Sequence, residues 1–193
     1  ELLQNLSLQL KDNDKRLSNY GLPDPEENET ELQRALLEYD PDQQTQILHK
    51  LNSETPNTEQ QQIIFNQIMY SINNNKTKLY FIQGKGGSGK TTLAKKILAA
   101  SRSKNILCVG CASTGLAATN YDNFDTAHGL FKYPVTEDEN DDDDSDPNLS
   151  KLYENPERME LLQQAQVIVW DEFPSNNRSF FENVYHIMNE LRL

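Results

Sequence analysis

The stretch from Gly84 to Thr91 constrains this chain more than any other. It reads Gly-Lys-Gly-Gly-Ser-Gly-Lys-Thr, which fits the phosphate-binding loop pattern of Gly, any four residues, then Gly-Lys-Ser/Thr. The apolar run Lys78–Ile82 precedes it and predicts a buried strand, and a run rich in helix formers follows at 92–100. Strand, glycine loop and helix in this order predict a nucleotide-binding α/β fold.

The residue types of the loop suit a bound polyphosphate. Glycine permits positive φ angles and close approach, so backbone N–H groups can turn towards phosphate oxygens. We expect Lys90 to place its ammonium group against the β- and γ-phosphates and Thr91 to offer its hydroxyl to Mg²⁺. The predicted nucleotide contacts of the loop are Gly84, Lys85, Gly86, Gly87, Ser88, Gly89, Lys90, Thr91 and Thr92.

A second apolar run, Val167–Trp170, predicts another strand and leads directly into Asp171 and Glu172. An acidic pair after a buried strand is the expected partner of a phosphate loop. Asp171 would hold Mg²⁺ together with Thr91, and Glu172 would orient and deprotonate the attacking water. Glu172 favours a hydrolase over a small-molecule kinase, which needs no such base. We assign catalysis to Glu172 and Lys90.

A glutamine ahead of the loop is a candidate for reading the base. Gln60 can pair with both edges of adenine through its amide, and Thr58 or Asn57 is expected to cap the helix that begins at Glu59. Other glutamines lie close by, and glutamine suits any helix surface, so both interpretations of Gln60 stay open.

Charge is distributed unevenly along the chain, whose net charge is −12. Residues 76–133 carry nine basic and two acidic side chains, whereas both flanks are acidic. A basic block that includes the phosphate loop suits a nucleic-acid partner. By contrast, eight of the ten residues in Glu137–Asp146 are acidic, which predicts a solvated, disordered loop over 136–148.

Small and hydroxylic residues, including Ser113 and Thr114, follow the strand predicted at Lys104–Val109 and let a backbone come close to a partner. A later segment, Asp125–Pro134, carries side chains that suit single-stranded DNA, among them His128 and Phe131. Hydroxyl and imidazole groups supply phosphate contacts, and aromatic rings stack on bases. Aromatic residues beside a proline also suit a hydrophobic core, so this pattern alone leaves both options open.

The cysteines and the apolar runs exclude other classes of function. Cys108 and Cys111 form a single C-x-x-C, and no second pair completes a zinc site. Cys108 lies within an apolar run, which favours core packing as reduced thiols in an intracellular compartment. No apolar run approaches the length of a membrane span, so no membrane partner is expected.

Taken together, these motifs resemble a known family. Their order and spacing are similar to the first RecA-like lobe of the Pif (petite-integration-frequency) DNA helicases of superfamily one. Leu17–Pro25 looks like the segment before the helicase in Helitron-type transposon proteins. The resemblance covers most of the chain apart from the acidic loop. The segments that carry it are Asn57–Gln60, Gly84–Thr91, Ala112–Ala118, Thr126–Pro134 and Trp170–Pro174.

The resemblance implies an enzyme that uses ATP and Mg²⁺ to move 5′ to 3′ on single-stranded DNA and to unwind duplex junctions. It implies that Gln60 reads adenine. It also implies that Ser113, Thr114, His128 and Phe131 fall in segments that line the DNA path. It suggests a nuclear role in genome maintenance or transposition. One departure is Gly129, where the family usually has serine.

A further departure lies in the residues beyond Glu172. No Gly-Asp-x-x-Gln segment appears there, and we expect the chain to be a piece of a longer polypeptide. The second RecA-like lobe and its arginine finger would then be partners supplied by the rest of that polypeptide. Since an arginine finger is worth about 10³–10⁵ in rate in related enzymes, we expect this piece alone to hydrolyse ATP poorly.

The predicted fold is a three-layer α/β lobe of the RecA-like, phosphate-loop NTPase type over residues 56–193. It has a mostly parallel sheet and is preceded by a helical, partly disordered segment over 1–55. Two alternatives to a helicase remain. The chain could be another phosphate-loop ATPase, such as a loader, or a non-catalytic, nucleotide-binding remnant of a transposon.

Overall fold

Residues 10, 15–22, 30–133, 151–175 and 178–191 are described by a computed structural model of the chain. The acidic loop predicted at 136–148 lies outside these residues, as do residues 1–9, 11–14 and 23–29 of the predicted N-terminal segment. The chain divides into two compact units, residues 1–30 and 31–193. In the first unit, Leu17–Tyr20 forms a 3-10 turn that closes at Gly21 with φ 72°.

Three helices precede the phosphate loop: α1 (Glu31–Leu37), α2 (Pro41–Glu54) and α3 (Glu59–Asn73). Helix α2 begins at Pro41 because Asp40 caps it: an Asp40 carboxylate oxygen accepts the N–H of Asp42 at 2.8 Å. Thr58 caps α3 as expected, because its hydroxyl accepts the N–H of Gln61 at 3.3 Å.

Three parallel strands form the sheet: β1 (Cys108–Ala112), β2 (Asp125–Thr126) and β3 (Val167–Asp171), in the order β2-β1-β3. This confirms the predicted mixed α/β fold with a parallel sheet. In the β1–β3 register, Ala112 lies opposite Asp171. The residues that follow both strands therefore meet at the carboxyl edge of the sheet, where ligands bind in α/β folds of this kind.

Helices lie along both faces of the sheet. Helix α4 (Lys90–Arg102) precedes β1, and four helices follow in the described residues: α5 (Gly115–Ala118), α6 (Ala127–Leu130), α7 (Pro156–Gln164) and α8 (Arg178–Leu191). Helix α8 is amphipathic and buries Phe180, Val184 and Ile187. Short 3-10 turns occupy Lys151–Glu154 and Phe173–Ser175.

Alternating residues of the strands build two separate cores. Ile168 and Trp170 of β3 pack with buried residues of α7 and α8 on one face. On the other face, Val167 and Val169 pack with Leu98 of α4. This alternation follows from the period of two in a strand, and it produces the three layers that the sequence predicts.

The strand predicted at Lys78–Ile82 is not formed. The segment has no regular secondary structure, and its backbone pairs with no strand in the described part of the chain. Tyr80 and Ile82 pack against the core that α3 and α4 share, whereas Leu79 and Phe81 are 80% and 66% exposed. The side chains of Lys78–Ile82 therefore alternate between buried and exposed, as in a strand. A strand also needs a hydrogen-bonded neighbour, which the local sequence does not supply.

The strand predicted at Lys104–Val109 begins four residues later. Lys104 and Asn105 belong to the turn that ends α4, where Asn105 has a φ of 56°. A backbone that turns in this way cannot join a ladder, so β1 starts at Cys108. Strand β2 is too short to give a pattern, and the sequence did not predict it.

Helices α1 and α2 belong to the second compact unit, residues 31–193. Leu32 and Ala35 of α1 pack on the core beneath α7 and α8. Leu48 of α2 packs on the core between α3 and α4. Burial of these apolar side chains ties residues 31–54 to the sheet and its helices.

Candidate functional site

The phosphate loop connects the extended segment after Lys78 to the N-terminus of α4. Gly87 and Gly89 have φ angles of 72° and 79°, which glycine adopts at little cost. A Cβ atom on Gly84 would lie 2.6 Å from the Ser88 hydroxyl oxygen, so a side chain there would require the Ser88 hydroxyl to move. The glycines of the motif thus have the conformational role predicted for a backbone cradle.

Lys90 is the first residue of α4, and its side chain folds back over the loop. Its ammonium group donates to the carbonyl oxygens of Gly84 at 2.9 Å and Lys85 at 3.1 Å. Thr92, also predicted to contact the nucleotide, lies half-buried in the first turn of the same helix. The cation of the motif is therefore held where a phosphate in the loop would meet it.

Thr91 and Asp171, the predicted metal ligands, come together although 80 residues separate them. The Thr91 hydroxyl donates to a carboxylate oxygen of Asp171 at 3.5 Å. Asp171 is the last residue of β3, and the other carboxylate oxygen accepts the backbone N–H of Glu172 at 2.9 Å. Glu172 itself is exposed and has a φ of 52°, a conformation that favours glycine and turns the chain sharply after the strand.

These residues fit ATP and Mg²⁺. The loop offers backbone N–H groups, two glycines with positive φ and one ammonium group to a polyphosphate. A threonine hydroxyl beside an aspartate carboxylate is an all-oxygen donor set, which Mg²⁺ prefers, and Mg²⁺ is commonly held by one or two carboxylates plus substrate phosphates. Within the described ranges, no three His, Cys, Asp or Glu side chains cluster to hold a metal ion on their own.

Gln61 contacts the phosphate loop, and the sequence analysis missed it. Its side-chain amide donates to the carbonyl oxygen of Ser88 at 2.9 Å, while its amide oxygen accepts the backbone N–H of Thr58 at 2.9 Å. Gln60 is exposed on the neighbouring position of α3. The Thr-x-x-Gln capping pattern at Thr58 was the signal that would have identified Gln61 as a fixed residue.

Ser113 and Thr114, predicted to contact DNA, lie against the acidic pair. The Ser113 hydroxyl donates to the carbonyl oxygen of Glu172 at 2.7 Å, and its backbone N–H donates to that of Asp171 at 3.1 Å. The Thr114 hydroxyl lies 3.4 Å from a carboxylate oxygen of Glu172 and also caps the short helix α5. The register of β1 and β3 explains this meeting, because both segments leave the sheet at the same edge.

His128 and Phe131 occupy a different environment. The His128 ring is half-buried and stacks on Phe180 of α8, with centroids 4.5 Å apart and planes 4° from parallel. Phe131 is 1% exposed and packs beside Trp170, with centroids 5.7 Å apart. A ring with so little exposed surface cannot stack on a base, so in this conformation Phe131 belongs to the core.

Gly129, where the resembled family usually has serine, leaves room for an acidic side chain. A Cβ atom at this position would lie 2.4 Å from an Asp125 carboxylate oxygen. The Arg158 guanidinium lies 3.4 Å from Asp125 and 2.6 Å from Glu31. Arg158 is itself buried, so the pairing keeps its charge satisfied and ties α7 to β2 and α1.

The two cysteines are buried free thiols, as predicted for core residues. Burial raises the pKa of the Cys108 thiol from 9.0 to about 11 and raises that of Cys111 as well. Such thiols are poor nucleophiles and poor metal ligands. No helix in the described parts of the chain is both long and apolar enough to cross a membrane.

The family model for PIF1-like helicases matches residues 57–192, which is well over half of the chain. The match includes the phosphate loop, the Asp171-Glu172 pair and the Ser113-Thr114 segment that contacts it. No curated protein matches the chain.

Proposed function

Because this chain belongs to the PIF1-like helicase family, we propose that it is the ATP-binding part of a DNA helicase. In this proposal ATP hydrolysis drives 5′ to 3′ movement on single-stranded DNA and unwinding of duplex junctions. A second RecA-like lobe closes over the nucleotide, and a nucleus is the proposed location.

One observation carries the proposal beyond nucleotide binding. The Thr114 hydroxyl lies 3.4 Å from a carboxylate oxygen of Glu172, and Ser113 donates to the backbone carbonyl oxygens of both Asp171 and Glu172. A strand of DNA held by the 113–114 segment would thus be one hydrogen bond away from the proposed catalytic base. A helicase needs coupling of this kind, because binding at the DNA site must change the ATP site, and binding at the ATP site must change the DNA site.

The proposed chemistry uses residues at the carboxyl edge of the sheet. Lys90 binds the β- and γ-phosphates, and the N-terminus of α4 adds favourable electrostatics for an anion. Thr91 and Asp171 hold Mg²⁺, which when bound supplies positive charge to the phosphate oxygens. Glu172, exposed beside them, orients the attacking water and accepts its proton.

Base recognition is assigned to the start of α3. Gln60 remains the proposed adenine-reading residue, and its exposed position on the first turn leaves its amide accessible. Gln61 supports this arrangement, because its bond to Ser88 fixes the start of α3 against the phosphate loop. Adenine would then contact α3 and the phosphates would contact the loop, and these two elements are already joined by the Gln61–Ser88 hydrogen bond.

For DNA contact, the exposed hydroxyl of Thr114 and the half-buried Ser113 and His128 are retained in the proposal. Phe131 is left out because of its burial. The basic block of residues 76–133 supplies the positive charge that a phosphate backbone requires.

The deciding experiment is fluorescence anisotropy of labelled single-stranded DNA against this chain, over a salt series, with and without a non-hydrolysable ATP analogue. We expect binding that weakens as salt rises and that changes when the analogue is present. Binding of DNA without any response to the analogue would refute the coupling. Absence of DNA binding at low salt, both here and with the second lobe restored, would favour an ATPase of another kind.

Glu172→Gln tests the hydrolytic role in a protein that carries both lobes. The variant should bind ATP with normal affinity and fail to turn it over, because the amide cannot accept the proton of the water. Glu182→Gln on the surface of α8 is the matched control, since it makes the same chemical change on a side chain paired only with Arg178 in the described contacts. Retained turnover in Glu172→Gln would remove Glu172 as the base.

A further inference from the structure

Asp171 is held by a third residue that the sequence motifs do not include. The phenol hydroxyl of Tyr121 donates to a carboxylate oxygen of Asp171 at 2.7 Å, across 50 residues of sequence. This is the same oxygen that Thr91 contacts at 3.5 Å. The backbone N–H of Glu172 holds the other oxygen at 2.9 Å. Both oxygens are therefore fixed, and the oxygen that accepts from Glu172 retains one lone-pair position for a cation.

The Tyr121 ring is itself fixed in place. It is 8% exposed and stacks on Phe124, with ring centroids 4.0 Å apart and planes 9° from parallel. The ammonium group of Lys95 lies 5.6 Å from the Tyr121 ring centroid. With its ring clamped in this way, the hydroxyl has little freedom to leave Asp171.

Gly110 in the middle of β1 makes this packing possible. A Cβ atom there would lie 1.9 Å from the Phe124 ring, which is far inside contact distance. A bare backbone at Gly110 thus admits Phe124, Phe124 stacks on Tyr121, and Tyr121 donates to Asp171. The four residues form one packed connection from the interior of the sheet to the proposed metal ligand.

We propose that Tyr121 is a positioning residue that fixes the Asp171 carboxylate and thereby sets the affinity of the site for Mg²⁺-nucleotide. The proposal rests on the proposed function, because it assumes that Asp171 holds Mg²⁺. Partners that orient a metal ligand through a hydrogen bond typically contribute about 10–100-fold to metal affinity or activity. Tyr121 touches neither the phosphates nor the attacking water in this scheme, and it acts through Asp171.

Tyr121→Phe tests the proposal, because it removes one hydroxyl and keeps the stacked ring. The readout is binding of a fluorescent ATP analogue as a function of Mg²⁺ concentration, with a parallel titration in EDTA. We expect the Mg²⁺ concentration for half-maximal binding to rise by about 10-fold or more, while binding in EDTA stays at the wild-type level. A merely structural role would lower the midpoint of urea unfolding and leave the Mg²⁺ dependence unchanged.

Tyr153→Phe is the matched control. The Tyr153 hydroxyl also donates to a carboxylate, that of Glu190, but the side chain is 48% exposed and lies outside the candidate site. This variant should leave the Mg²⁺ titration unaltered. An equal shift in both variants would overturn the specific role of Tyr121.

Phe124→Leu provides a second variant that leaves the Tyr121 hydroxyl intact but removes the ring on which it stacks. We expect its Mg²⁺ midpoint to rise in the same direction by a smaller factor. If Tyr121→Phe has an unchanged or a lower Mg²⁺ midpoint while the wild-type protein binds Mg²⁺-nucleotide, this inference alone is refuted. A wild-type protein that binds no nucleotide would refute the proposed function, and the inference with it.

Discussion

The ammonium nitrogen of Lys96 lies 2.7 Å from the side-chain oxygen of Asn57. The same nitrogen donates to the backbone carbonyl of Thr55, and Lys96 has no exposed surface. Burial lowers the pKa of this ammonium group, so it is held at a cost that its two acceptors offset. A lysine in the helix that follows the phosphate loop thus fixes the residues that lead into α3.

Lys96→Met should weaken nucleotide binding although Lys96 lies five residues beyond the loop. The substitution keeps the length of the side chain and leaves the Thr55 and Asn57 oxygens without their donor. Loss of that donor should lower the free energy of unfolding by about 1–3 kcal/mol and loosen the start of α3, where Gln61 contacts the loop. Urea unfolding and titration with a fluorescent ATP analogue measure the two effects.

Lys104→Met is the control for this experiment. Lys104 lies just after the same helix, is exposed, and donates to the Asn73 side chain at 2.9 Å. Removal of an exposed contact of this kind should change stability by less than about 0.5 kcal/mol. Equal loss of nucleotide affinity in both variants would contradict the role assigned to Lys96.

Lys90→Ala should abolish measurable nucleotide binding and leave the fold intact. The ammonium group contacts only carbonyl oxygens of the loop in the described structure, so the core does not depend on it. Circular dichroism and nucleotide titration together measure this. Lys50→Ala is the comparison, because Lys50 is an exposed lysine of α2 that pairs with Glu54 outside the loop, and we expect this variant to retain binding. A Lys90→Ala protein that binds Mg²⁺-ATP as tightly as the wild type would show that the site is misplaced.

Thr114→Val should uncouple DNA from nucleotide. Valine preserves the shape of threonine but removes the hydroxyl that caps α5 and contacts Glu172. Loss of a cap costs about 0.5–2 kcal/mol, and the ATP analogue should no longer alter DNA affinity in the anisotropy assay. Thr114→Ser keeps the hydroxyl and should behave as the wild type. An analogue response that survives in Thr114→Val would mean that the coupling runs through other residues.

Alkaline pH should destabilise the protein in part through Cys108. Burial raises the pKa of its thiol from 9.0 to about 11, so the folded state keeps a proton that the unfolded state releases. The stabilisation is fully present below pH 9 and is lost as pH rises towards 11. A rise of the pKa from 9.0 to about 11 corresponds to about 2.7 kcal/mol at most. Urea unfolding of wild type and Cys108→Ala between pH 8 and 11 should give a shallower pH slope for the variant.

The candidate site was largely predictable because its motifs are local. The phosphate loop, the acidic pair and the cap at Thr58 each require residue types at fixed short spacings, and the structure forms each of them. The strand at Lys78–Ile82 was not predictable in the same way. Tyr80 and Ile82 pack on the core as the apolar pattern predicts, but strand formation depends on a neighbouring strand from elsewhere in the chain.

Contacts between distant segments were not predictable. The sequence around Phe131 is consistent with either a core ring or a DNA contact. In the structure Phe131 is buried beside Trp170, which favours the core. Nothing local marks Tyr121 as a partner of Asp171, because they meet only when β1 and β3 align. Gly110 carries a weak signal, since a glycine inside a strand suggests a close approach, but it does not identify Phe124 as the residue that approaches.

By itself, the sequence determined which groups are available to build a site: a glycine loop followed by a lysine and a threonine, an acidic pair after a strand, and a basic block around the loop. Backbone dihedral preferences and short-range spacing are sufficient to specify these features. Only the tertiary structure decided which groups meet, such as Thr91 with Asp171, Thr114 with Glu172 and Tyr121 with Asp171. Those meetings depend on strand register and core packing, which arise from contacts between residues far apart in the chain.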